Sequence, residues 1–515
     1  MTARTESSVP ALLVNQATAL GDSTALLAKV LGRWVSFSWN QYLDQARASA
    51  LGFDQLGIKK GEAVAIIAAN TVTWLFADIG VQSVGAFTVG IFETTPAPDL
   101  GYILDDCGAR MVIVGDQEQA DKVLDAMEDG YGAKVEFIVY IETKGVSAYD
   151  DPRLSSFADL QALGYAELER RSARFDELLD ARRIDEVALV GYTSGTTGLP
   201  KGVMITHEAM IEATKGYADA FSMSSKDRIV AWVSVAHPAI RGPQIYTPFR
   251  NAAVVAFPED TDNFQEALFE IAPTYIMCPP RYLELVAADI QIRMTKSSRL
   301  KRGLYNLGLG LGERAARRKW KKGRSDPIGA VYRFISWWLV GKSILEQYGL
   351  DRMRWPLAGG AAVSADLLRF FHSLGFELRQ VYGQAETSGV PFAQYERGAV
   401  LPGRAGRMLP GIESAVSDDG ELLVRGAGVF AGYLGKPDKT AEVLDSDGWF
   451  HTGDLADFTE EGDLVLLDRE SAIMELVDGT KLAPTEIENS LVRARREGLY
   501  DRCGSPESEE GEPED

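Results

Sequence analysis

An apolar run, Val187 to Val190, passes directly into Gly191-Tyr192-Thr193-Ser194-Gly195-Thr196-Thr197-Gly198-Leu199-Pro200-Lys201-Gly202. A buried strand that ends in small, flexible, hydroxyl-bearing residues leaves backbone N–H groups free to point at an anion. The hydroxyls add donors, and Lys201 adds a mobile point charge. Thr193, Ser194, Gly195, Thr196, Thr197, Gly198 and Lys201 thus form a candidate polyphosphate cradle. It is not the Walker loop, because Gly-Lys-Ser/Thr is absent and Pro200 precedes the lysine. An ordinary turn between strands rarely needs so many hydroxyls and glycines together with a lysine.

Strand and helix signals alternate before the cradle. Trp34 to Phe37 reads as a strand, followed by an amphipathic helix that ends before Gly57. Apolar strands are expected over 63–68, 85–90 and 110–115, with Asn70 capping a helix over 74–80. This alternation implies a mostly parallel sheet covered on both sides. Residues 142–184 are polar and read as an irregular surface excursion. After the cradle, helices are expected over 208–221, 263–271, 281–293 and 364–373, and strands over 229–235, 252–257 and 274–278. From Pro402 the texture changes to hairpins, with turns at Asp418-Asp419-Gly420 and Glu461-Gly462-Asp463. The fold class is therefore α/β: a large multi-sheet N-terminal domain of layered, mostly parallel sheets and helices, plus a small β-rich subdomain over 402–467.

Three more stretches carry chemistry: Arg379-Gln380-Val381-Tyr382-Gly383-Gln384-Ala385-Glu386-Thr387, Ala358-Gly359-Gly360-Ala361-Ala362, and Gly448-Trp449-Phe450-His451-Thr452-Gly453-Asp454. With the cradle, they resemble the AMP-forming adenylating superfamily of acyl-CoA synthetases, luciferases and peptide-synthetase adenylation domains. Within it, the likeness is to the long-chain fatty acid–CoA ligases. The resemblance implies ATP, Mg²⁺ and, as a substrate, coenzyme A. It gives Thr193, Lys201 and Glu386 catalytic roles, with Thr193 and Glu386 at the metal, which prefers carboxylate, phosphate and water oxygens. Gly359, Gly360, Ala361, Gln380, Tyr382, Gly383, Gln384 and Ala385 would surround the nucleotide, with Tyr382 offering a flat face to adenine. Asp454 and Arg469 would reach the ribose, and His237 and Gly383 would stand beside the acyl pocket. Ala385 replaces the family's usual threonine, which removes a hydroxyl contact. Without the resemblance, Gly359-Gly360 reads as a tight turn, Asp454 as a turn aspartate and Arg469 as a hinge salt bridge. His207 and His451 read as structural and His372 as a helix-surface residue; no pair of histidines has metal-ligand spacing.

The implied reaction has two halves. A carboxylate attacks the α-phosphate of ATP and pyrophosphate leaves, giving an acyl-adenylate; a thiol then attacks the acyl carbon and AMP leaves. Both halves gather negative charge on phosphate oxygens, so the protein's task is positioning and fixed donors.

A net charge of -21 argues against nucleic acid as a general partner. Cys107, Cys278 and Cys503 are far apart and odd in number, which suits a reducing cytoplasm better than a disulfide framework. No signal peptide or membrane-spanning run is evident. Against this acidic background, Arg293 to Arg324 holds twelve basic residues and one acid, Glu313, with leucines between them and Phe334, Trp337 and Trp338 following. Two readings stay open for it: a solvated helical excursion, or a basic amphipathic surface that rests on anionic lipid, giving peripheral membrane contact through 293–340.

Residues 1–467 are thus expected to form the adenylate-forming domain, and 468–493 the start of a truncated C-terminal lid domain. Residues 494–515 hold eight acids among Gly, Pro and Ser, and are expected to be a disordered tail. The family's late lysine has no counterpart after Lys481. Losing one transition-state donor typically costs about 10²–10³ in rate, so weakened turnover is expected. The functional expectation is ATP-dependent activation of a long-chain fatty, or similarly hydrophobic, carboxylic acid to acyl-AMP and then acyl-CoA. A non-catalytic nucleotide- or acyl-binding remnant and an acyl-AMP ligase serving a carrier protein are the alternatives.

Overall fold

The computed structural model describes residues 4–193, 198–260, 263–322, 326–396, 400–469, 474–475 and 481–482. The expectations for Ser194 to Thr197, for most of 468–493 and for 494–515 lie outside the described residues.

The first sheet has eight strands. Its parallel body is Val187–Thr193, Phe87–Ile91, Ala63–Ile67, Ala109–Val114, Phe137–Tyr140 and Leu154–Ser156, in that spatial order. These strands are short and mostly apolar, and those at its centre are buried along their length except at Arg110, which is the pattern of strands covered on both faces. Lys201–Thr206 then pairs antiparallel with Val187–Thr193, and Gly432–Tyr433 closes that edge. A second sheet carries Tyr275–Cys278, Trp355–Ala358 and Arg379–Tyr382 in parallel, extended by two short antiparallel strands. A third joins Arg228–Val230 and Val254–Phe257 to the N-terminal hairpin Thr24–Val30/Arg33–Ser38. The expected hairpins after Pro402 form a fourth, antiparallel sheet: Ile412–Val416, Glu421–Gly426, Phe450–Phe458 and Leu464–Arg469. The α/β class of layered sheets and helices is as expected.

Four local expectations are corrected. Residues 142–184 are not an irregular excursion: Ser156 and Asp159 form a capping box that starts the helix Phe157–Arg170, and Arg174–Asp180 adds a second helix. The first of these lies hard against Trp39–Gln55, where a Cβ at Gly164 would come within 1.8 Å of the Ala48 carbonyl oxygen. The polar surface of this pair hides a buried stripe of Phe157, Leu160, Phe175, Leu178 and Leu179. Asn70 does not cap the following helix; Thr71 does, accepting from the Trp74 N–H. Asn70 instead donates to the carbonyls of Ala231 and Val233 and accepts from the Val235 N–H, so the chain after Val230 leaves the sheet and the strand expected over 229–235 is cut short. His372 is buried rather than on a helix surface, between the Trp320 indole N–H at 3.2 Å and the Leu378 carbonyl at 2.8 Å. Burial pushes its pKa down to about 4.

Candidate active site

The strand ends of the first two sheets and the face of the antiparallel sheet meet around one cavity of about 1120 Å³. Strand carboxyl ends are where α/β sheets leave room for ligands, because the chain there turns away to either side. Thr193 and Lys201 line it from the cradle, Gly359, Gly360 and Ala361 from the turn after Trp355–Ala358, and Gly383, Gln384, Ala385 and Glu386 from the turn after Arg379–Tyr382. Asp454 and Arg469 line it from the antiparallel sheet, and His237 from the segment that Asn70 holds. Gly198 sits on an exposed lip.

Asp454 is the most heavily supported group. Its Oδ2 accepts from the Tyr382 hydroxyl at 2.6 Å and from the Gln384 amide at 2.7 Å. The same amide donates to the Thr452 carbonyl at 3.0 Å, and the Thr452 hydroxyl accepts the Asp454 N–H. Oδ1 faces the Arg469 Nε at 3.5 Å across the strand pair. The Tyr382 ring is buried beside Phe392 in the core of the antiparallel sheet, and its hydroxyl is bonded to Asp454. Gln380 is also buried, its N–H bonded to the Gln394 side chain. Gly383 contributes by closeness: a Cβ there would lie 1.9 Å from the Gly389 carbonyl oxygen.

At the other end, the Lys201 ammonium lies 4.1 Å from the centre of the Tyr433 ring, and the Tyr433 hydroxyl donates to Glu386 Oε1 at 3.0 Å. Burial and the adjacent Glu386 charge push the Tyr433 hydroxyl up, so it stays a donor. Lys201 makes no ion pair with any other described residue. The far side of the cradle is tied by Tyr102, which donates to the Pro200 carbonyl at 3.0 Å, while Lys436 pairs with Asp106 at 2.5 Å.

The third wall is apolar. Ile91, Val233, Ala239, Ile240, Met277 and Val390 line it beside His237. His237 caps the short helix Pro238–Arg241 by accepting from the Ala239 N–H, and burial followed by the Arg241 charge lowers its pKa. Arg241 itself is fully buried, bonded to the Val235 carbonyl and to Asp78. The Cys278 thiol also lines the cavity and is pushed up by burial, so it stays protonated there.

The residues present fit a nucleotide triphosphate and its metal. A cationic lysine and hydroxyl-bearing cradle stand at one end and a hydrogen-bonded carboxylate at the other, with a backbone turn between them. Glu386 supplies a hard oxygen donor on the cradle side; one carboxylate with phosphate and water suits Mg²⁺, which rarely takes an all-protein cage. Among the described residues there is no cluster of three or more His, Cys, Asp and Glu that would hold a metal by itself. Sequence reasoning missed Tyr433, Glu421 and the Tyr102–Lys436–Asp106 tie. Glu421 accepts from the Gly453 N–H at 2.8 Å and lies 2.8 Å from His451 Nδ1, which fixes the turn before Asp454.

A family model described as AMP-binding enzyme matches residues 13–434. Long-chain-fatty-acid–CoA ligase ACSBG2 from Xenopus laevis is 28% identical over 483 residues, covering 92% of this chain and 64% of that protein. The Rattus norvegicus counterpart is 28% identical over 505 residues, covering 95% and 74%. The chain thus spans about two thirds of the length of these relatives. Among solved structures, the anthranilate CoA ligase AuaEII in complex with anthranoyl-AMP superposes with a TM-score of 0.69 at 19% identity, covering 96% of this chain and 84% of that one. The N-terminal domain of FACL13 from Mycobacterium tuberculosis does so at 0.64 and 21% identity, covering 90% and 100%. At such identities the superpositions establish the fold, and the family model carries the assignment: this chain is a member of the AMP-binding enzyme family.

Proposed function

We propose that the chain uses ATP to activate a long-chain fatty, or similarly hydrophobic, carboxylic acid to its acyl-adenylate and passes the acyl group to coenzyme A. The observation that carries this reading is a single cavity that joins Lys201 and Glu386 to Asp454 and also opens an apolar wall beside His237. Lys201 and Thr193 hold the phosphates, Asp454 and Arg469 the ribose, and Gly359 to Ala361 the adenine side. Bound at Glu386 and Thr193, Mg²⁺ would neutralise charge on the phosphate oxygens. The ligase relatives favour a long acyl chain. Acid-dependent exchange of labelled pyrophosphate into ATP tests the first half. Exchange with a long-chain acid supports the reading, and its absence across fatty and sterol acids would leave a binding protein. Thioester formed with CoA, and not with a phosphopantetheinyl carrier, supports the second half.

Peripheral contact with anionic membranes belongs to the same proposal. No described helix is long and apolar enough to cross a bilayer. The helices Arg299–Lys322 and Pro327–Ser336 form a hairpin in which Leu300, Leu307, Ile328, Val331 and Phe334 are each more than half exposed, as is Trp338 in the turn that follows. Lys296, Arg299, Lys301 and Arg333 stand among them without an ion pair to another described residue, whereas Arg317 and Arg318 are paired with Glu313 and Asp326. Apolar side chains ringed by free cations match an anionic lipid surface. Co-sedimentation with phosphatidylglycerol vesicles, reduced for Phe334→Ser with Trp338→Ser and weak on phosphatidylcholine, supports this. Equal sedimentation on both lipids removes it.

A further inference from the structure

The segment Phe430–Leu434 touches both charged groups at the cradle end of the cavity, and it does so from a distant part of the sequence. Its backbone pairs with the cradle strand: Ala431 N–H donates to the Met204 carbonyl at 2.9 Å and Leu434 N–H to the Gly202 carbonyl at 2.8 Å. It also grips Glu386 twice, through the Phe430 N–H on the Glu386 carbonyl at 2.8 Å and the Tyr433 hydroxyl on Glu386 Oε1 at 3.0 Å. Thr440 accepts the Tyr433 N–H, and the Phe430 ring packs edge-on to Tyr433 at 5.0 Å, so the side chain has little freedom.

The Tyr433 ring face carries the Lys201 ammonium at 4.1 Å. Cation and carboxylate thus lean on the face and on the hydroxyl of one neutral ring. Opposite charges on neighbouring side chains attract strongly where water is scarce, and a direct ion pair would occupy the groups that ought to face a ligand. An aromatic ring satisfies the cation through its quadrupole without neutralising it, and a phenol satisfies one carboxylate oxygen while leaving the other to coordinate.

We infer that Tyr433 is a positioning residue, a spacer that keeps Lys201 and Glu386 from pairing and aims one at phosphate and the other at Mg²⁺. The inference rests on the ligase reading of the cavity. It separates two functions within one side chain. Tyr433→Phe keeps the ring and loses the hydroxyl, whereas Tyr433→Leu loses both.

The test is calorimetric binding of ATP to the full chain with EDTA and across a Mg²⁺ titration. For Tyr433→Phe, ATP affinity in EDTA stays at the wild-type value, and the Mg²⁺ concentration giving half of the metal-dependent tightening rises about tenfold. For Tyr433→Leu the same rise is joined by about a tenfold loss of affinity in EDTA, as Lys201 turns to Glu386. In the Tyr433→Leu background, Glu386→Gln releases Lys201 and regains affinity in EDTA by more than it does beside the native tyrosine. Folding is checked by near-ultraviolet circular dichroism, and Tyr433→Phe alone suffices if the leucine variant unfolds. An unchanged Mg²⁺ requirement in Tyr433→Phe overturns the inference while leaving the ligase reading intact. A wild-type chain that binds no Mg·ATP overturns both.

Discussion

At the Asp454 end of the cavity, one carboxylate oxygen takes hydrogen bonds from Tyr382 and Gln384, and the amide of Gln384 is itself anchored on Thr452. At the Lys201 end, the ammonium rests on a ring face and Glu386 takes one side-chain hydrogen bond. The first arrangement is complete without a ligand, because the Tyr382 hydroxyl donates to the carboxylate and the Gln384 amide bridges it to Thr452. The second leaves a cation and a carboxylate oxygen open. The contrast suits a site in which the nucleoside is held still while charge moves among the phosphates, and where fixed groups cost no rearrangement during reaction.

The largest effect that bears on this contrast is expected from Lys201→Ala. Acid-dependent pyrophosphate exchange should fall about 10²–10³-fold with little change in thermal midpoint, since the Lys201 side chain makes no ion pair with a described residue and rests only on the Tyr433 ring. A fall in midpoint of several degrees would show that the cradle end is as structural as the other. Asp454→Ala should weaken nucleotide binding about a hundredfold and should also destabilise the fold by about 2 kcal/mol, because the buried Tyr382 hydroxyl loses its acceptor and the Gln384 amide one of its two. Calorimetry and chemical denaturation separate the two losses; binding lost without stability would put the two ends on one footing. Gln384→Leu keeps the carboxylate and removes one of its donors, so about a tenfold loss of nucleotide affinity is expected, read by the same titration.

A further effect concerns pH and lies away from the cavity. Burial lowers His207 to about 3 and His372 to about 4. Both are neutral in the native chain and bind a proton on unfolding below the ordinary histidine value near 6.5. Their contribution is complete above pH 6.5 and is lost as pH falls toward their native values, amounting to about 2 kcal/mol each by pH 5. His372→Gln should flatten the acid side of a stability–pH curve. An unaltered slope from pH 7 to 5 would mean that His372 titrates normally.

What the sequence made legible was local. The cradle, the Gly-Gly turn, the Glu386 turn and Asp454 each sit within a few residues of a recognisable pattern, and all reach the same cavity. The pairings that finish the site join residues far apart, such as Tyr433 with Glu386 and Asp454 with Gln384, and no local periodicity marks them. A motif names Tyr382 and not the direction of its ring, which packs against Phe392. Asn70 and Thr71 are both good caps, and only tertiary contact shows which one the helix uses. The helices over 157–180 were hidden by their charged outer faces, although the Ser156…Asp159 capping box was readable.

The closing strand of the eight-stranded sheet has a consequence for how the molecule is made. Val203 waits for Tyr433 as its partner, so the outer rim of Lys201–Thr206 stays open while the intervening chain leaves the ribosome, a delay on the order of tens of seconds. Until then an unpaired β edge next to the cradle is available to neighbouring nascent chains. Expression at a low level, which thins out neighbouring nascent chains, should therefore raise the soluble yield, and the cavity is completed only after Tyr433 has emerged and docked.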